Sequence, residues 1–94
     1  MATSAVKADD IHVRLSPNPA SNYVTIELEE DVAGNVTVEL FSVIGTRINQ
    51  KVIFHAQGDH VFTLNTEGIA EGVYLVRVTH GQHSVVKRIK IQPE

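Results

Sequence analysis

Apolar and polar residues alternate along this chain in short runs, and the period is two rather than the three to four of a helix. Val24, Ile26 and Leu28 point one way while Tyr23, Thr25 and Glu27 point the other; Val36, Val38 and Leu40 likewise oppose Thr37, Glu39 and Phe41. Such alternation marks strands with one buried and one wet face. The runs predict strands near Ile11–Leu15, Tyr23–Leu28, Asn35–Phe41, Arg47–Phe54, His60–Leu64, Val73–His80 and His83–Ile91. Val73-Tyr74-Leu75-Val76 is apolar on both faces, which places that strand centrally. The last run differs from the others. Val85, Ile89 and Ile91 share a face with Lys87, and Val86, Arg88 and Lys90 lie opposite.

The breaks between runs carry turn chemistry. Ser16-Pro17-Asn18-Pro19 lacks two backbone donors and has two fixed φ angles, so it reads as a connection. Gly45 suits a tight hairpin that needs positive φ, and Gly81-Gln82 reads as a two-residue hairpin turn. Asp31-Val32-Ala33-Gly34-Asn35 and Gln57-Gly58-Asp59 read as further polar breaks. Together these features predict an all-β fold: a seven-stranded antiparallel β-sandwich, immunoglobulin-like, with Greek-key connections.

Length bounds what such a fold can do. Ninety-four residues suit one domain with a thin core and little room for an enclosed pocket. We assign it to residues 11–94, with 1–10 as a small, polar linker expected to pack loosely and to be nicked first by proteases. Residues 1–7 lack the apolar stretch of a signal peptide, which suits a fragment of a longer precursor or an isolated cytosolic chain. There is no cysteine, hence no disulfide or thiolate chemistry. Charge is uneven: from Arg77 onward Arg77, Lys87, Arg88 and Lys90 face one acid, Glu94, for +3. The preceding stretch sets Lys7, Arg14, Arg47 and Lys51 against ten acids, for −6, which gives the net −3. The asymmetry suits an interaction surface, and it equally suits an edge strand guarded by lysines.

Reactive constellations are scarce. His80 and His83 flank a turn and His60 could join them, but a closed zinc site wants four ligands, so no metal or other cofactor is expected. Glu27, Glu29, Glu30 and Asp31 cluster at a strand end without the pocket that a general acid needs, and read as a solvated face. No G-x-S-x-G, phosphate-cradling glycine loop or H-E-x-x-H occurs. Asn35-Val36-Thr37 fits a glycosylation acceptor but reads as the start of a strand. Nucleic-acid binding is not expected of an acidic chain whose five aromatics lie within strands. The sequence predicts no enzyme.

Four segments carry a resemblance, in order, across residues 11 to 92. Leu15-Ser16-Pro17-Asn18-Pro19-Ala20-Ser21-Asn22 followed by an alternating strand, Val38-Glu39-Leu40-Phe41-Ser42-Val43-Ile44-Gly45, Gly68-Ile69-Ala70-Glu71-Gly72-Val73-Tyr74-Leu75-Val76-Arg77-Val78, and Val86-Lys87-Arg88-Ile89-Lys90-Ile91 resemble the C-terminal sorting domain (type A) of Bacteroidetes cargo secreted by the type IX, or Por, system. The resemblance implies a signal read by the outer-membrane translocon and its shuttle components. It implies passage through the periplasm, removal by a surface sortase in or beside residues 1–10, and attachment of cargo at the outer membrane and cell surface. Gln92-Pro93-Glu94 departs from members that stop at the final strand.

On this reading the recognition residues are Gly72, Tyr74, Lys87, Arg88, Ile89, Lys90 and Ile91, with Pro17, Asn18, Pro19 and Gly45 as structural motif. Gly72 is expected to allow a sharp turn into its strand, and Tyr74 to pack beneath the hairpin. Exposed strand edges predict a strand-swapped or edge-paired homodimer. A fibronectin- or immunoglobulin-like structural or adhesion module of a secreted protein, and an accessory binding domain of a glycosidase, are the competing assignments. The first would share the sandwich without the four ordered segments, and the second would need an aromatic platform.

Overall fold

Two long strands paired along nearly their whole length organise the chain. A computed structural model describes residues 12–44 and 47–93, and its strands are β1 (Val13–Ser16), β2 (Tyr23–Ser42), β3 (Arg47–Asn65), β4 (Gly72–His80) and β5 (His83–Ile91). All four strand pairings are antiparallel. β2 is the hub, with β3 along one side. On its other side β1 pairs with the first half (Val13↔Leu28 to Ser16↔Thr25) and β4 with the second (Val36↔His80 to Ser42↔Tyr74). β5 pairs with β4.

The all-β, antiparallel expectation holds, but among the described residues seven expected strands are five, in one curled sheet rather than two separate ones. Tyr23–Leu28 and Asn35–Phe41 are one strand, β2; Arg47–Phe54 and His60–Leu64 are another, β3. Neither break reverses the chain: Gly58 is the extra residue of a bulge in β3, and Gly34 stays paired within the ladder. Gly34 and Gly58 take φ of 95° and 88°, side by side in the ladder where Ala33 pairs with Gln57 and Gly34 with Ala56. Nearby, β2 uses Leu28–Asp31 where β3 uses only His60. Extra residues on one strand bend and twist a ladder without ending it. Asp59 Oδ2 accepts a hydrogen bond from the Gln57 backbone at 2.9 Å, satisfying a donor that the bulge takes out of the ladder.

The bend is also where most of the histidines are used. His60 Nδ1 bonds Asp31 Oδ1, His80 Nε2 bonds the Ala33 carbonyl and His55 Nδ1 bonds Asn35 Oδ1, each at 2.8 Å. His12 lies 4.0 Å from Glu29. Alternate residues 29, 31, 33 and 35 of β2 therefore each meet a histidine.

Folding at the bend turns the alternating apolar faces inward. Val24, Ile26 and Leu28 from the first half of β2 share a core with Val36, Val38 and Leu40 from the second. β3 adds Ala56, Phe62 and Leu64, and β4 adds Tyr74, Val76 and Val78. Phe54 and Phe62, on either side of the bulge, stack with ring centroids 5.2 Å apart. β3 and β4 are joined through a turn in which Ile69 N–H donates to the Thr66 carbonyl at 3.1 Å. Thr66 itself is buried and its hydroxyl donates to the Ser21 carbonyl at 3.1 Å. Gly45 and residues 1–10 lie outside the described residues.

Candidate functional site

The final hairpin and the loop that grips it form the candidate surface. β4 and β5 pair in register from Gly72↔Ile91 to His80↔His83. The Gly81-Gln82 turn closes them, with Gly81 at φ 63°, as a two-residue hairpin requires. Because successive side chains alternate, Ile89 and Ile91 enter the core at 1% and 0% exposure. Lys87 lies on their face but remains exposed, while Val86, Arg88 and Lys90 stand on the outer face, Val86 at 53% exposure. Folded in this way, Ile89 and Ile91 anchor the strand, and Lys87, Arg88 and Lys90 stand exposed.

Tyr74 is likewise an anchor. Its ring is buried, and its hydroxyl donates to the Ala70 carbonyl at 2.6 Å, tying β4 to the segment before it. Gly72 follows a bend at Glu71 and opens β4. It is not among the positive-φ glycines, and it sits within the ladder opposite Ile91. What it supplies is space: a Cβ there would stand 3.4 Å from Tyr74 Cε1, the near limit of ordinary contact. The tyrosine ring packs directly against this glycine.

The Pro-Asn-Pro segment is indeed a connection, between β1 and β2, with both proline peptide bonds cis. Its partner could not be read from sequence. Ala20 N–H donates to the Lys90 carbonyl at 2.8 Å and Gln92 N–H donates to the Ala20 carbonyl at 2.7 Å, a one-residue parallel bridge that closes the end of β5. Asn18 Oδ1 accepts from Lys90 N–H at 3.3 Å. The two ends of the domain thus meet over 72 residues of sequence separation.

Electrostatics divide the basic residues into two groups. Arg14 bonds Glu27 at 2.7 Å, and Arg77 bonds Glu39 through Nε and Nη2 at 3.0 and 2.8 Å. Arg77 also lies 4.9 Å over the Phe41 ring. The Arg14 hydrogen bond, and then its charge, hold the Glu27 carboxyl below the usual carboxylate range. Lys87, Arg88 and Lys90 form no ion pair among the described residues. Sequence reasoning missed the Glu39–Arg77–Phe41 group, because only the ladder register Glu39↔Arg77 brings it together.

The acidic cluster does not form an isolated catalytic pair: Glu27 meets Arg14, and Asp31 meets His60. A cleft of about 600 Å³ beside it is lined by His12, Leu28–Val32, His80 and His83. Among the described residues no three His, Cys, Asp or Glu side chains converge to hold a metal.

These features define a class: a small antiparallel β module that presents one basic, clamped edge strand. Comparison with known families then makes the assignment specific. The profile of the secretion system C-terminal sorting domain matches residues 14–92, nearly the whole chain, and the chain belongs to this type IX secretion family. No curated protein matches it. The family is one of sorting signals, not of enzymes. Membership makes the domain a C-terminal type IX sorting signal and implies interaction with the type IX machinery. It also implies export to the cell surface or secretion.

Proposed function

We propose that this domain carries cargo to the outer-membrane type IX translocon by presenting its final hairpin, Gly72–Ile91. Shuttle components then pass it to a surface sortase, which cuts in or beside residues 1–10. The observation that carries the reading is the composition of β5: two fully buried isoleucines hold it in place, and three basic side chains without ion-pair partners among the described residues project from it. Packing does not account for three exposed basic side chains on one strand, whereas an acidic partner would fix its register through them. Gly72 and Tyr74 hold the hairpin's base, and the Pro17–Ala20 loop holds its end.

The test fuses the domain to a passenger bearing a signal peptide in a type IX-competent host. The intact fusion is expected at the cell surface or in the medium, and a fusion lacking Lys87–Glu94 is expected to stay in the periplasm. Equal export of both would refute the assignment of the signal to this hairpin. Among the described residues no strand pairs with the outer margin of β3, or with that of β5 before Lys90, which supports an edge-paired or strand-swapped homodimer. Sedimentation over a range of concentrations should show a dimer, and a monomer at every concentration would exclude it.

A further inference from the structure

The backbone of β5 shows which part of its edge is open. Lys90 turns both its N–H and its C=O away from β4, toward Asn18 and Ala20. In an antiparallel ladder alternate residues do the same, so Ser84, Val86 and Arg88 also present both groups outward. Among the described residues these three have no backbone partner on that side. The free edge therefore runs from Ser84 to Arg88 and stops at Lys90, where the loop already occupies the strand.

We infer that this short edge is a docking site for an extended segment of a partner protein rich in carboxylates and aliphatic side chains, and that the Asn18–Ala20 loop fixes where that segment ends. The chemistry follows from what an added strand would meet. On the outer face its cross-strand neighbours are Val86 and Arg88; on the other face they are the half-buried Val85 and the exposed Lys87. Aliphatic residues would cover the valines, and carboxylates on either face would neutralise Lys87 and Arg88. Main-chain bonds would supply affinity and the charges would supply choice of partner. That the partner belongs to the type IX machinery rests on the proposed function; the docking chemistry does not.

The experiment adds the synthetic hexapeptide Glu-Glu-Val-Val-Glu-Glu, which places glutamate and valine on both faces of an added strand, to the 94-residue chain and follows backbone amides by NMR, with Lys-Lys-Val-Val-Lys-Lys as control. The glutamate peptide is expected to shift the amides of Ser84, Val86 and Arg88 and slow their exchange, leaving Lys90 unchanged. Arg88→Gln should weaken it about two- to fivefold, the loss of one exposed pair. Val86→Pro removes an outward donor that β4 does not use, so it should abolish binding while the other β4–β5 amides keep their shifts. Equal effects of both peptides, a footprint elsewhere, or no binding would each overturn the inference. Export of a passenger in the same host is a separate readout: normal export without peptide binding removes this site and leaves the sorting function standing.

Discussion

Ile91→Ala tests the division of β5 into anchors and contacts. Ile91 is fully buried, faces Gly72 in the ladder and is bridged by Ala20. The substitution removes three buried carbons, about 2.4 kcal/mol of transfer free energy at roughly 0.8 kcal/mol each. A residual cavity raises the loss to about 3–4 kcal/mol, within the range for buried isoleucine truncations. At about 4–8 °C per kcal/mol for a domain of this size, the melting temperature should fall by roughly 12–30 °C. Lys87→Ala, Arg88→Ala and Lys90→Ala should each change stability by no more than about 0.5 kcal/mol, as exposed side chains without an ion pair among the described residues do. Thermal unfolding followed by far-UV circular dichroism measures both. A loss below about 1 kcal/mol for Ile91→Ala would show that β5 is not held by its core face, and any export defect of the basic variants would then need another explanation.

Other consequences follow from single contacts. Gly58→Ala meets no atom within 4 Å but must hold φ of 88°, so chemical denaturation should show a loss of about 1–2 kcal/mol from backbone strain alone; unchanged stability would mean that the bulge relaxes. Tyr74→Phe removes the 2.6 Å bond to Ala70 and should cost about 0.5–1.5 kcal/mol, with no effect expected if water already satisfies that carbonyl. Glu27 is held ionised by Arg14, so its folded pKa lies below its unfolded one; the stability it adds is present above the unfolded value, about 4.3, and is lost as pH falls through the folded value. The melting temperature of Glu27→Gln should therefore fall less on acidification than that of the unaltered chain. Parallel pH profiles would remove Arg14–Glu27 from the account.

The sequence is legible where local rules decide and opaque where distant segments meet. Alternation placed Val24, Ile26, Val36, Val38 and Leu40 in the core, and it set Lys87 apart from Arg88 and Lys90. Gly81 at the first turn position followed from hairpin geometry. The strand count did not, because glycine beside Asn or Asp marks a bulge as readily as a reversal; only the opposed pairing around Gly34 and Gly58 separates the two. The contact of Gly72 with the Tyr74 ring was opaque for a related reason: it depends on how a side chain two residues on folds back, not on the glycine itself. The grip of Asn18 and Ala20 on β5 leaves no local signature, since the Pro-Asn-Pro segment looks the same whatever it bonds.

The most direct test of the central claim measures surface display of a passenger fused to the domain carrying Lys87→Ala, Arg88→Ala and Lys90→Ala together. The purified variant must first show an unchanged unfolding transition, so that a fold defect is excluded. This folded variant is expected to leave most of the passenger in the periplasm, while the unaltered domain exports it. Export of the folded triple variant at the level of the unaltered domain would contradict the account and leave the basic residues of β5 as guards of an edge strand.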